Sequence, residues 1–261
     1  MAKRTARRAA RRMQELVHYG EDSNVRRLFD EPQWSPLDDN KYDRQNQPRG
    51  QSDQKYRKNI RAQNDSQQKM LDAIDEVPLV FACGAAGTGK TYLAIAKAVE
   101  ALDSGAVRRI ILSRPAVEAG ESLGFLPGDM EEKLSPYLRP LYDALCDRIS
   151  SKRLKALMAE GVIEIAPIAY MRGRTLNNAY IVIDEAQNCT YGQLKMLLTR
   201  LGWNSSMVVT GDPAQSDLLP GMSGLSDVVN KLEALDNVRA IRFTREDVVR
   251  HPLVAEMIDA L

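Results

Sequence analysis

Apolar and polar positions change rhythm near Met70. Before it, residues 31–68 are polar, broken by Pro32, Pro36, Pro48 and Gly50, with few aliphatic side chains. Such a stretch buries too little apolar surface to offset its ordering entropy, and it reads as a linker or mobile arm. Trp34 stands out within it as a side chain suited to docking on the core or on a neighbouring subunit. After Met70, short apolar runs bounded by turn residues alternate with helical periodicity. Runs 79–83, 109–112, 162–166, 180–183, 207–209 and 239–243 read as strands, and the alanine-rich stretch 92–102 as a helix. Apolar strands separated by helices form a mostly parallel sheet with both faces covered. Leu194, Leu197, Leu198 and Leu201 share one helical face, opened by a capping box of Thr190 and Gln193. Leu253, Met257 and Leu261 align in a tail helix behind Pro252.

The chain has 261 residues, 44% of them hydrophobic. That suits one α/β core plus an extension: a basic, polar extension and linker over 1–62 and the core domain over 63–261. The net charge of +1 says little about partners, whereas its distribution says more. Arg4, Arg7, Arg8, Arg11 and Arg12 fall at helical spacing and would form one stripe suited to RNA or DNA phosphates. A solvated tail is the alternative reading. No apolar run approaches the ~20 residues that cross a membrane, and the basic N-terminus lacks the apolar region of a secretory signal. Glu15, Glu21 and Asp22 argue against a transit peptide. Cys83, Cys146 and Cys189 are odd in number and show no CxxC spacing, which disfavours a disulfide framework or zinc site and fits a cytoplasmic location. Cys83 and Cys189 read as small apolar fillers, and His18 and His251 lie too far apart in sequence to suggest a shared metal.

Chemistry concentrates after three of the strands. The first is followed by Gly84, Ala85, Ala86, Gly87, Thr88, Gly89, Lys90 and Thr91, which satisfy G-x-x-x-x-G-K-[ST] between a strand and a helix. Glycines let successive backbone N–H groups turn toward phosphate oxygens, and the helix presents its positive end to the same anion. Lys90 supplies a cation to the β- and γ-phosphates, Thr91 a hydroxyl to Mg²⁺, and Tyr92 begins the helix beside them. The strand 180–183 ends in Asp184 and Glu185, suited to holding the metal shell and to deprotonating an attacking water. The strand 207–209 leads to Asp212 and Gln215, the first placed to tie its loop to the metal shell, the second to sense the γ-phosphate or lytic water. Gln67, or its neighbour Gln68, precedes the first strand and can read adenine, since a primary amide both donates and accepts. ATP and Mg²⁺ are therefore the expected ligands.

Several long segments together resemble the PhoH-like family. They are the P-loop 84–91, the stretches 113–129 and 136–143, the segment 169–176, Asp184-Glu185-Ala186-Gln187-Asn188, and 247–252. The resemblance runs from about Gln67 to the C-terminus; Ala85 stands where the family usually has proline, and Met70 where it has an aromatic residue. It implies a RecA-like P-loop NTPase core similar to that of superfamily 1 helicases, with ATP hydrolysis and, in some members, RNA unwinding or cleavage. Some relatives carry an N-terminal nuclease-like domain; residues 1–62 have no acidic cluster of that kind, so no intrinsic ribonuclease activity is expected.

Those helicases set two cores face to face and supply an arginine across the cleft, worth about 10³–10⁵ in rate in related systems. A chain with one core is expected to borrow it from a neighbour in a homo-oligomeric ring, a hexamer. Arg250, Arg245, Arg172 and Arg174 are the candidates, each with a structural ion-pair role as the alternative. The glycine-rich segment 120–128 could line a ring pore, with Phe125 stacking on bases, or form a buried lid. The leading reading is an ATPase, helicase-like, acting on RNA or single-stranded nucleic acid. The alternatives are a ring-forming assembly protein with little turnover and a small-molecule kinase.

Overall fold

The structure is a computed structural model, and it describes residues 60–115, 130–249 and 257, with the backbone alone for 130–136. The basic stripe, Trp34, the segment 120–128, Phe125, Arg250 and most of the tail helix lie outside the described residues; Met257 is exposed.

Asn64 caps the first helix, α1 (Asp65–Glu76), by accepting from the Gln67 amide at 2.8 Å. The helix stops at Val77 because Pro78 follows and pushes that residue into extended backbone. Then come β1 (Leu79–Gly84), α2 (Lys90–Asp103), β2 (Arg109–Ser113), α3 (Met130–Cys146), α4 (Ser151–Ala159) and β3 (Ile163–Ile165). After them come β4 (Ala179–Ile183), α5 (Tyr191–Leu198), β5 (Ser206–Gly211), α6 (Leu225–Leu232) and β6 (Val238–Phe243). All six strands pair in parallel, in the order β3-β2-β4-β5-β1-β6.

Alternation along the strands fills two apolar layers. Val80, Ala82, Ile110, Leu112, Val182 and Val208 face the layer built with α1 to α4. Leu79, Phe81, Ile111, Ile181, Met207 and Val209 face the layer built with α5 and α6. The same alternation continues past the strand ends, so Arg114, Asp184 and Thr210 fall in step with Leu112, Val182 and Val208, toward α2. Cys83 and Cys189 are buried among apolar neighbours, and burial pushes their thiols up to about 11 and about 12.

All six expected strands are present, each within two residues of its expected limits. The capping box of α5 also forms: the Thr190 amide donates to Gln193 Oε1 at 2.8 Å and the Gln193 amide to Thr190 Oγ1 at 3.3 Å. Leu194 and Leu197 are buried as expected, but Leu201 lies beyond the helix end, where it bridges to Leu176.

Candidate nucleotide site

Gly84, Gly87 and Gly89 have φ of 136°, 81° and 83°, the left-handed region open to glycine. At Gly84 packing adds a second constraint: a Cβ there would lie 2.0 Å from the Phe243 carbonyl oxygen of the neighbouring strand. The loop thus curls over the start of α2 and sets the helix's positive end beneath it. Lys90 is the first residue of α2 and is buried. Its ammonium donates to the carbonyls of Gly84 and Ala85, both at 2.7 Å, and to Thr88 Oγ1 at 3.1 Å. Burial lowers its pKa, opposed by the carboxylates of Asp212, Glu185 and Asp184. Ala86 is exposed, and Thr88, fully buried, donates to Ala85 O at 2.9 Å.

Thr91 Oγ1 donates to Asp184 Oδ1 at 2.6 Å, joining α2 to the end of β4. Thr210 Oγ1, on β5, donates to the same oxygen at 2.6 Å. The sheet order explains this convergence. β5 runs between β1 and β4, so the acidic strand is one strand away from the P-loop strand rather than immediately beside it. Asp184 is 3% exposed. A carboxylate buried to that degree needs compensating donors and charge. A hydroxyl and a carboxylate are hard oxygen donors, and among the described residues no group of three or more His, Cys, Asp or Glu side chains forms a metal cage. That donor set fits Mg²⁺, which keeps waters and substrate phosphates in its shell and takes few protein ligands.

Glu185 adopts φ 52°, ψ 41°, a left-handed conformation that costs a non-glycine residue about 1–3 kcal/mol. Its side chain is held from two sides. Gln187 Nε2 donates to Oε2 at 2.5 Å, and Arg114 Nη2 lies 3.3 Å from Oε1. Gln187 is itself buried, and its Oε1 accepts the Asp212 amide at 3.0 Å, linking Glu185 to the loop after β5. That loop is fastened further by Ser216 Oγ to Gln187 O at 3.1 Å and by a reciprocal pair between Asn188 and Asp217 at 2.7 and 2.8 Å.

The other expected site residues are distributed as follows. Gln67 is buried against the P-loop: its Nε2 donates to Thr88 O at 3.0 Å and its Oε1 accepts the Gln63 amide at 2.8 Å. Gln68 instead is exposed and donates to Asp72. Tyr92 is partly exposed, with the Arg148 guanidinium 5.8 Å from its ring centroid. Gln215 is exposed, its amide donating to Asp212 O at 3.0 Å, and the glutamine that reaches the acidic pair is Gln187. Asp212 is buried; its carboxylate accepts the Ala214 amide at 3.0 Å and acts on the charge of Lys90. Among the arginines, Arg174 makes a two-pronged pair with Glu164 at 2.5 and 2.7 Å, while Arg172 and Arg245 are exposed. The sequence alone assigns no role to Arg114, Thr210 or Gln187, although Arg114 and Thr210 lie at or just beyond a strand end, as Asp184 does, and Gln187 in the 3-10 turn that follows it. An open groove of about 910 Å³ lies against the C-terminal half of α2, away from this site.

The sequence profile of the PhoH-like protein family matches residues 59–261. The chain belongs to the PhoH-like family. A PhoH-like protein of Bacillus subtilis (strain 168) is 56% identical over 204 residues, 78% of this chain and 64% of that one. One of Mycobacterium tuberculosis (strain ATCC 25618 / H37Rv) is 59% identical over 204 residues, 78% of this chain and 58% of that one. Protein PhoH of Escherichia coli (strain K12) is 48% identical over 204 residues, 77% and 58% of the respective chains. The chain thus spans less than two thirds of the length of these PhoH-like relatives. Among solved structures, the large terminase of a thermophilic bacteriophage aligns at TM-score 0.47 and 13% identity, over 75% of this chain and 49% of that one. With its P-loop and parallel sheet, this PhoH-like chain is a P-loop ATPase-like nucleotide-binding protein.

Proposed function

We propose that the protein hydrolyses ATP to ADP and phosphate, in an activity coupled to RNA or single-stranded nucleic acid. One observation carries the hydrolysis: the 2.6 Å contact from Thr91 to Asp184, which brings the end of β4, and with it Glu185, to the P-loop. The loop amides and Lys90 bind the triphosphate, Lys90 exchanging at least one carbonyl for a phosphate oxygen. Thr91 and Asp184 would hold Mg²⁺, which neutralises charge on the phosphates. Glu185, oriented by Gln187, takes the proton of the attacking water. Gln67, buried beside Gly89, would read adenine with the lone pair and hydrogen its present bonds leave over. A water base favours hydrolysis over transfer to a small-molecule acceptor, so phosphate should be released in proportion to ADP with no acceptor added.

The arginine that completes the site is expected from a neighbouring subunit in a hexameric ring. Arg250, Arg245 and Arg172 remain as candidates, whereas Arg174 is committed to Glu164. The buried free thiols of Cys83 and Cys189 fit a reducing cytoplasm, and among the described residues no helix is long and apolar enough to cross a membrane. The test is phosphate release by the full chain, alone and with RNA, single-stranded DNA or duplex. Turnover stimulated by a single strand is the expected result. Turnover that no nucleic acid alters would leave the ATPase and remove the coupling. No turnover, with tight ATP binding and ATP-dependent oligomers, would favour an assembly role.

A further inference from the structure

We propose that Arg114 is a positioning residue that competes with the divalent cation for the acidic pair, restraining Glu185 until the metal–nucleotide complex arrives. The inference rests on the nucleotide reading above and adds to it a residue that no motif assigns. The backbone sets Arg114 where this is possible. Ser113, the last residue of β2, pairs with Ile183, and its carbonyl accepts the Asp184 amide at 2.8 Å. Arg114 and Asp184 therefore leave adjacent strands side by side, on the face that holds α2. Pro115, next in the chain, disfavours a helical backbone at Arg114.

The guanidinium bridges the pair: Nη1 lies 3.5 Å from Asp184 Oδ2 and Nη2 3.3 Å from Glu185 Oε1. The remaining carboxylate oxygens are engaged by other donors. Asp184 Oδ1 is filled by the hydroxyls of Thr91 and Thr210, and Glu185 Oε2 by Gln187. Arg114 thus sits on the oxygens left for a metal shell and for a lytic water. Its contacts exceed the roughly 2.7–2.9 Å of a tight charge-assisted bond, so it neutralises two adjacent carboxylates without locking onto either. A doubly charged cation beside Asp184 repels a guanidinium at this range, because the interaction grows as the separation falls. Arrival of the cation therefore displaces Arg114 and frees Glu185 Oε1. Loss of the cation lets Arg114 return.

The test is equilibrium binding of a fluorescent ATP analogue to the full chain, with Mg²⁺ titrated from a chelated starting point. Wild type is compared with Arg114→Gln, Arg114→Met and Arg114→Lys. The two neutral variants differ in polarity, so one stays informative if the other misfolds by circular dichroism. Half-saturating Mg²⁺ is expected to fall about three- to tenfold in the neutral variants and to stay within about twofold of wild type in Arg114→Lys. A role confined to packing would weaken nucleotide binding without easing the metal requirement. An unchanged Mg²⁺ requirement in the neutral variants would overturn the competition. A raised requirement would also overturn it and would place Arg114 on the phosphates. Wild-type protein that binds no nucleotide at any Mg²⁺ concentration would remove the nucleotide reading, and this inference with it.

Discussion

The ammonium of Lys90 has three hydrogens, and Gly84, Ala85 and Thr88 offer an oxygen to each. The side chain is therefore held in place before any phosphate binds, and a ligand exchanges bonds rather than ordering a free chain. Glu185 is prepared differently. A left-handed backbone and the Gln187 amide aim its carboxylate, so the proposed hydrolysis would depend on a group that ground-state binding does not require. Glu185→Gln is accordingly expected to keep ATP affinity within about threefold while lowering kcat about 10²–10⁴-fold. Steady-state kinetics beside equilibrium titration check this; a parallel loss of binding would deny the residue its role as base. Gly84→Ala tests the backbone. Its Cβ would press on the Phe243 carbonyl and φ would remain at 136°, so a cost of about 3 kcal/mol or more is expected, read as a lower midpoint in urea unfolding.

At the scale of elements, β4 and β5 act as a pair, and the loop after β5 is fastened to the residues after β4 by Gln187, Ser216 and the Asn188–Asp217 exchange. A double-mutant cycle on Asn188→Ala and Asp217→Ala should give a coupling of about 1 kcal/mol in stability. The same variants should lower kcat more than they raise KM, since the tether aims Glu185 rather than the phosphates. Additive effects would show the two side chains to be independent. The strands and the P-loop were legible in the sequence because both signals are local: apolar runs of strand length, and glycines whose spacing has one structural use. Helix α3 was not, because Pro136 and Pro140 interrupt the sequence signal of a helix that the backbone nonetheless continues. Gln187, Thr210 and Arg114 were illegible as site residues for another reason. Their meaning comes from β4 pairing with β2 on one side and β5 on the other, which sets Arg114 and Thr210 beside Asp184 and the Asp212 amide against Gln187. Gln215 is the glutamine the sequence singles out after β5, whereas the glutamine side chain that reaches Glu185 is that of Gln187.

At the scale of the molecule, one parallel sheet gathers the strand ends that carry the chemistry. An arginine in trans would make the ring part of the active site. Mixing Arg250→Ala subunits with Lys90→Ala subunits is then expected to restore part of the turnover that neither has alone; a mixture as inactive as its components would deny Arg250 that place. All of this presupposes a triphosphate gripped by the P-loop and a cation held against Asp184. Calorimetric titration of the full chain with Mg²⁺-ATP measures that directly. Saturable binding is expected in the wild type, weakened at least about tenfold in Lys90→Ala, which loses the buried cation, and weakened again when Mg²⁺ is chelated. Equal affinity in wild type and Lys90→Ala, or no heat of binding in either, would contradict the account.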